Sequence, residues 1–189
     1  MLDVAMEFLK DELNAYLAAR NGTDQVKAQL TRVMNDQNQV AIEPNSLAMT
    51  VINIEEERTF KAQVPTHAYT QGRHVVHEPE LKVNLLVMVS AFFSNYAEAL
   101  KHLSCALTWS QAHPAFNPTR SPALDPRIEK LTLELQTLAF EQLNQVWAFV
   151  GSKQLPSIFL RVRMVVLQDA EPAAVQPPIT AVSAALSGR

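Results

Sequence analysis

The stretch LKVNLLVMVSAFFSNYAEALKHLS, residues 81–104, changes its hydrophobic period midway and so indicates the class of fold. Its first half alternates with a period of two, which predicts a β-strand, and its second half has the 3.6-residue period of a helix. Asn95 and Glu98 have the spacing of a capping box at the start of that helix. The predicted apolar face of the strand consists of Leu81, Val83, Leu85, Val87, Val89, Ala91 and Phe93. The predicted apolar stripe of the helix consists of Tyr96, Leu100, Leu103 and Leu107.

The sequence before this stretch predicts one more helix and two more strands. Residues 2–17 have helical periodicity, and Gly22 can end that helix. Residues 40–43 and 47–55 are predicted to form a β-hairpin, because turn-forming Pro, Asn and Ser separate them. Residues 58–79 are then a polar connection that is longer than a compact domain usually needs.

The sequence after the stretch alternates between the same two periods. A proline-rich segment precedes a predicted strand at residues 128–138, in which Leu131, Leu133 and Leu135 point inward and Glu134 outward. A short helix follows, and Gly151 can end it. The apolar side of this helix consists of Leu143, Val146, Trp147 and Val150. The last strand, residues 157–168, has Ile158, Leu160, Val162, Met164 and Val166 on one face and Arg161 and Arg163 on the other.

This order of elements predicts an α+β fold. We expect one domain, residues 1–169, with a largely antiparallel sheet and helices packed mainly on one face, followed by a Pro/Ala-rich arm at residues 170–189. The second face of the sheet would then stay open. Arg161, Arg163 and Glu134 on that face either pair across the sheet or face a partner.

Composition excludes several classes of function. The chain has 189 residues, 48% of them hydrophobic, and a net charge of −3 without a basic cluster that could follow a phosphate backbone, so no nucleic-acid partner is expected. Acidic residues in the first 12 positions argue against an export signal, and no apolar run is long enough to span a bilayer, so a soluble protein without a membrane partner is expected. The single cysteine, Cys105, cannot form an internal disulfide and is compatible with a reducing cytoplasm.

The sequence NIEEERTFK, residues 53–61, is the strongest candidate for a functional cluster. Because neighbours in a strand point to opposite faces, only Glu55 and Glu57 could share a catalytic site. The alternatives are a solvated strand end, in which Arg58 pairs locally, and the charged rim of an interface. His74 and His77 could form a metal pair only on a helix, and their segment has the character of a loop.

No pattern for covalent or phosphate chemistry is found in the sequence. Cys105 has apolar neighbours and no general base beside it, which favours a small buried side chain over a nucleophile. The four glycines form neither a phosphate-binding loop nor a Gly-x-Ser-x-Gly elbow. We therefore predict no catalytic residue, no metal and no cofactor.

Five stretches together resemble the cap, or tail-terminator, proteins of phage-tail-like contractile injection systems. They are FLKDELNAYL, VINIEEERT, LLVMVSAFFSNYAEALKHLS, IEKLTLELQTLAFEQLNQVWAFV and GSKQLPSIFLRVRM, and they occur in this order within residues 3–168. Where members of that family often have a serine before the equivalent of FEQLN, this chain has Ala139, so the side-chain cap of that helix is missing.

The resemblance implies a structural protein rather than an enzyme. It implies a hexameric ring that ends the inner tube and the contractile sheath, with the tube protein, the sheath protein and further copies of the chain as partners. It also implies assembly in the cytoplasm, and the finished particle can then be released outside the cell. Two alternatives stay open: a transient assembly factor of such a particle, and a hydrolase that uses Glu55 or Glu57 with His74 or His77.

The interface residues expected from these considerations lie in two regions. Glu55, Glu56, Glu57 and Arg58 are assigned to contacts between subunits or with the sheath, together with Arg161 and Arg163. Ile179 and Val182 belong to the arm sequence ITAVSAAL, whose apolar and β-branched residues suit an added strand on a neighbouring subunit. The alternative is that the arm folds back on its own domain.

Overall fold

The computed structural model describes residues 1–22, 25–58, 66–70, 73–77, 81–167 and 174–176. These residues form three helices and nine strands. The helices are α1 (Leu2–Asn21), α2 (Tyr96–Ala112) and α3 (Phe140–Val150). The strands are β1 (Ala28–Leu30), β2 (Ser46–Glu56), β3 (Thr66–Thr70), β4 (Arg73–His77), β5 (Leu81–Phe92), β6 (Ala115–Phe116), β7 (Leu131–Leu135), β8 (Ser157–Leu167) and β9 (Ala174–Gln176). None of the helices in this described part is long and apolar enough to cross a membrane.

The strands form two sheets. The main sheet has six strands in the order β1-β2-β5-β8-β7-β6, and all its neighbours are antiparallel except β1 and β2. The second sheet, β3-β4-β9, is antiparallel throughout. The predicted α+β class with a largely antiparallel sheet is confirmed.

Helices pack on both faces of the main sheet. Apolar side chains of α1 and α2 form the larger core with one face, where Leu9, Leu13 and Trp109 are almost completely buried. Val146 and Trp147 of α3 form a smaller core with Met88 and Phe159 on the other face. The helices thus lie mainly on one face, as predicted, but the second face is partly covered by α3 instead of staying open.

Helix α1 follows the sequence prediction. Its buried stripe consists of Ala5, Met6, Phe8, Leu9, Leu13 and Leu17. Gly22 ends the helix with a φ of 65°, a left-handed conformation that costs glycine little, and its N–H donates to the Ala18 carbonyl at 2.9 Å. Each leucine of this stripe that is removed from water contributes roughly 1.5–3 kcal/mol.

The predicted hairpin of residues 40–43 and 47–55 is wrong. Residues 40–43 form no strand, and β2 pairs instead with β5 and, in parallel, with β1. The chain before β2 makes a local loop, in which the Asn35 carboxamide oxygen accepts from the N–H groups of Gln37 and Gln39, each at 2.9 Å. The start of the predicted strand is engaged by the same loop, since Val40 forms an antiparallel bridge with Met34 and the Ala41 N–H donates to the Val33 carbonyl at 2.8 Å.

Helix α2 buries a different face from the predicted one. Tyr96 is 67% exposed and Leu100 is 45% exposed, while Leu103 is the one member of the predicted stripe that is fully buried. The buried side consists of Ala99, His102, Leu103, Ala106, Trp109 and Ser110. The alanines give this side a small surface, and Trp109 fills the core beneath it. Asn95 caps the helix by accepting from the Ala97 N–H at 2.9 Å.

The polar connection after β2 also differs from its prediction. It contains the hairpin of β3 and β4, and residues 174–176 of the C-terminal arm pair with β4 as β9. The segment with His74 and His77 is a strand, so the helical geometry required for their proposed metal pair is not present. Ile179 and Val182 lie outside the described residues.

Candidate functional site

A row of charged side chains crosses four strands of the main sheet, and we call it the charged belt. The belt consists of Glu55 on β2, Glu57 immediately after β2, Glu134 on β7, and Arg161 and Arg163 on β8. Arg161 Nη2 lies 3.1 Å from Glu55 Oε2. Arg163 lies 3.3 Å from Glu57 Oε2 through Nη2 and 3.2 Å from Glu134 Oε1 through Nη1.

The topology of the sheet explains how these residues meet. Strand β5 lies between β2 and β8, so the acids of β2 must reach across one strand to meet the arginines of β8. Asn84 on the intervening strand bridges this distance by donating from Nδ2 to Glu57 Oε2 at 2.8 Å. The pairing with β8 is irregular between Val83 and Leu85, where two residues of β8 oppose Asn84. The arginine side chain is long and carries five N–H donors, so Arg163 can contact the carboxylates of Glu57 and Glu134 at the same time.

Burial is uneven along the belt. Glu57 is only 6% exposed, whereas the Glu55 side chain is 46% exposed. The hydrogen bond to Glu57, followed by that to Glu134, raises the pKa of Arg163 above its ordinary value. Removing one partner of a buried charged pair leaves the other uncompensated, whereas an exposed pair typically contributes about 0.2–1 kcal/mol. Glu57 is therefore the structural centre of the belt, and Glu55 and Arg161 are its accessible end.

The structure brings together four of the residues proposed from the sequence: Glu55, Glu57, Arg161 and Arg163. Arg161 and Arg163 pair with carboxylates on other strands of the sheet. Pairing across the sheet was one of the two alternatives expected for these arginines. Arg58 Nε instead lies 3.7 Å from Glu56 Oε2, outside the belt. Contact of any of these residues with another subunit or with a sheath stays a prediction.

The belt is poorly suited to acid–base catalysis or metal binding. Each of its carboxylates already contacts an arginine, and a general base or a nucleophile needs free access to a substrate. Within the described part of the chain, no group of three or more His, Cys, Asp and Glu side chains could hold a metal ion. Cys105 is half-buried on α2 and has a free thiol.

A groove of about 400 Å³ lies beside the accessible end of the belt, between α3 and the sheet. Glu55 and Arg161 form its charged wall, and Phe149, 67% exposed, contributes an apolar one. Its other lining residues are Ile52, Asn53, Leu86, Gln136, Leu138, Gln142, Gln145 and Val146. No sequence pattern indicated Phe149, because the helical pattern of α3 predicts only the buried side of that helix.

At the first edge of the main sheet, a side chain caps one residue of β1. Asn14 of α1 accepts from the Ala28 N–H through Oδ1 at 2.7 Å and donates to the Ala28 carbonyl through Nδ2 at 3.0 Å. The carboxamide thereby occupies the two backbone groups that a further strand would use at this residue. No sequence pattern indicated this role for Asn14.

The opposite edge of the sheet is only partly covered. Strand β6 has two residues, and its pairing with β7 ends where the Leu133 N–H donates to the Pro114 carbonyl at 2.9 Å. Pro114 has no N–H with which to complete the pair. In the described part of the chain, no donor contacts the Leu133 carbonyl, and the N–H and carbonyl of Leu135 have no partner.

Comparison with known proteins relates this architecture to a described family. The family described as the Pvc16 N-terminal domain matches residues 5–181. No curated protein matches the chain.

Two solved structures share the fold along the whole chain. One is described as the sheath/tube terminator, in the extended state, of the extracellular contractile injection system PVC; it has a TM-score of 0.68 and 14% identity, with 100% of this chain and 64% of that chain covered. The other is described as the tube terminating cap of the anti-feeding prophage; it has a TM-score of 0.66 and 13% identity, with 98% and 61% covered. This chain therefore spans less than two thirds of the length of both.

Proposed function

The chain belongs to the Pvc16 N-terminal domain family, and from this premise we propose that it is a structural cap of a contractile injection particle. Copies of the chain form a hexameric ring that ends the inner tube and the contractile sheath. Its partners are the tube protein, the sheath protein and its own copies, and it carries out no chemical reaction. It assembles in the cytoplasm and stays in the finished particle.

The observation that carries this proposal is the similarity of the fold, along the whole chain, to a sheath/tube terminator and to a tube terminating cap. Both of those proteins are longer than this chain, so the contacts with tube and sheath are part of the proposal.

The sheet edges support a role in ending an assembly. A terminator must accept contacts from the last ring without offering the next ring a new edge to extend. Asn14 caps one residue of β1 at one edge of the main sheet, and β6 covers part of the other. The fold thus limits the number of positions at which further strands could be added.

The charged belt supports a role in contacts between subunits. Its accessible end, Glu55 and Arg161, lies beside the exposed ring of Phe149, which gives this groove both charge and apolar surface. Buried aromatic anchors with a polar rim are typical of protein interfaces. In the proposed ring this groove receives a neighbouring subunit or the sheath.

Electron microscopy of the purified full-length protein tests the ring directly. We expect closed rings, and we expect tubes and sheaths produced together with the chain to end at a uniform length with the cap present in stoichiometric amount. The variant Phe149→Asp places a charge in the groove, and Phe140→Asp is its matched control on α3, because Phe140 is also exposed but lies outside the groove. A protein that stays monomeric at all concentrations and does not change the length of the tubes would contradict the proposal.

A further inference from the structure

The two edges of the main sheet are treated differently, and this difference points to a docking site. At β1, Asn14 occupies the N–H and carbonyl of Ala28. At β7, the Leu133 carbonyl and both backbone groups of Leu135 have no partner among the described residues. An edge with three free backbone groups in a row can accept a further strand, because each group gains a hydrogen bond.

The orientation of these groups follows from the hydrogen bonds of β7. The Leu133 N–H points away from β8 to the Pro114 carbonyl, and the Gln136 N–H points towards β8, to the Phe159 carbonyl, at 2.9 Å in both cases. Because backbone groups alternate along a strand, the N–H and carbonyl of Leu135 must point in the same direction as the Leu133 N–H, out of the sheet. Within the described part of the chain, nothing prevents these groups from bonding to another chain.

The surface beside this edge is uncharged and combines apolar with neutral polar side chains. Leu135 is 60% exposed, although it shares a face of β7 with the buried Leu131 and Leu133. A groove of about 440 Å³ lies between this edge and α2. It is lined by Leu107, Thr108, Ser110, Gln111, Pro114, Leu133 and Leu135. The charged residue of β7, Glu134, is paired with Arg163 in the belt. The usual protection of an edge strand, a charge pointing out over the edge, is thus lacking here.

We infer that residues 179–186 of a second copy of the chain dock on this edge as an added strand. Their sequence, ITAVSAAL, contains no charge and no proline, which matches an uncharged groove and a strand that needs all its N–H groups. In an extended conformation Val182, Ala184 and Leu186 share one face and can cover Leu135 and Leu107. This inference rests on the proposed ring, since it makes the arm a link between neighbouring subunits.

The link between β9 and the proposed added strand is short. Strand β9 ends at Gln176, where its pairing with β4 anchors the start of the arm. Pro177 and Pro178 then cannot continue the hydrogen bonding of β9. These two residues span about 7 Å when fully extended, at about 3.3 Å per residue, so in the proposed ring the β7 edge of the neighbouring copy lies close to β9.

Disulfide crosslinking tests the contact in the full-length protein. With Cys105→Ser as the background, the variants Leu135→Cys and Val182→Cys are mixed, and we expect oxidation to give a covalent dimer of the two. Leu100→Cys is the matched control, because Leu100 is also exposed on α2 but does not line the groove, and it should give at least about tenfold less dimer with Val182→Cys. A disulfide that forms only within the double variant Leu135→Cys/Val182→Cys, or a yield equal to that of the control, overturns the inference.

A proline at the edge gives an independent test. Because the Leu135 N–H has no partner among the described residues, Leu135→Pro should leave the unfolding midpoint of the monomer nearly unchanged. It removes from β7 the N–H that would donate to the incoming strand and should raise the concentration at which rings dissociate by about tenfold, which corresponds to the loss of one or two hydrogen bonds. Val182→Asp should have the same effect without altering β7.

The outcomes separate this inference from the proposed function. If the rings of both variants dissociate at the same concentration as those of the unmodified protein, the docking of the arm is overturned and the proposed cap function stands. If the unmodified protein forms no rings and the cysteine variants form no crosslink at any concentration, both are overturned.

Discussion

Replacing Asn14 by alanine should destabilise the domain and at the same time open the β1 edge. The two hydrogen bonds to Ala28, at 2.7 and 3.0 Å, are both partly buried, and Ala28 itself is only 3% exposed. Losing two such bonds costs about 2–3 kcal/mol, because the backbone groups are left without a partner. Alanine is the better helix former by roughly 0.6 kcal/mol, which offsets part of this cost. The expected net loss is about 2 kcal/mol.

Urea denaturation followed by circular dichroism measures this loss of unfolding free energy. In thermal denaturation of a domain of this size, about 2 kcal/mol corresponds to a decrease in Tm of roughly 4–8 °C. Light scattering on the folded protein should also show association beyond the proposed ring, because the Ala28 N–H and carbonyl become available to other strands.

Two further variants serve as controls for the role of the Asn14 carboxamide. Asn14→Asp keeps an acceptor for the Ala28 N–H but places a charged oxygen against the Ala28 carbonyl, so it should remain less stable than the unmodified protein. Glu12→Ala changes a polar residue on the same helix for which no hydrogen bond or ion pair is found among the described residues, and it should alter stability by no more than about 0.5 kcal/mol. If Asn14→Ala has the same stability and the same degree of association as Glu12→Ala, the carboxamide does not protect the β1 edge.

Three other perturbations test the belt, α3 and the buried histidine. Glu57→Ala should cost about 1–3 kcal/mol in chemical denaturation, because Glu57 is buried and contacts Asn84 and Arg163. Glu56→Ala should cost under about 1 kcal/mol, and equal costs would contradict the assigned burial. Ala139→Ser should stabilise α3 by about 0.5–1 kcal/mol, because Ala139 is the N-cap, has extended backbone angles and offers no side-chain acceptor; an unchanged Tm would refute this. Burial lowers the pKa of His102 despite the opposing effect of Glu98, so the unfolded state binds a proton more readily. The stability contributed by neutral His102 is therefore present above pH 6.5 and decreases as the pH falls below it, by at most about 1.4 kcal/mol per pH unit, and His102→Phe should remove this slope from a pH series of denaturation curves.

Elements with a regular hydrophobic period could be predicted from the sequence, because the spacing of their apolar residues identifies the buried face whatever packs against it. The alternation of β5 and the stripe of α1 each identify a buried face, and the structure confirms both. The small side chains of α2 explain the error there: Ala99 and Ala106 are weak hydrophobic signals, so the larger Tyr96 and Leu100 determined the prediction although both are exposed.

Contacts between distant residues account for most of what the sequence could not predict. Strand β1 has only three residues and pairs in parallel, so it has neither the length nor the neighbouring turn that indicates a hairpin. Glu55 and Arg161 are separated by 106 positions, and their pairing depends on the order of the strands. The sequence indicated that both were candidates for charged contacts, but only the sheet topology shows that they contact each other.

The position of β8 between β5 and β7 has a consequence for synthesis of the chain. Residues 157–167 must be present before the two halves of the sheet can join, since β5 and β7 pair with β8 and not with each other. Until the ribosome has released this segment, the nascent chain exposes one side of β5 and one of β7, which are sites of misassembly. Contacts so far apart in sequence also make folding slow. The main sheet is therefore completed only after nearly all of the domain has been translated, so its folding follows the synthesis of β8.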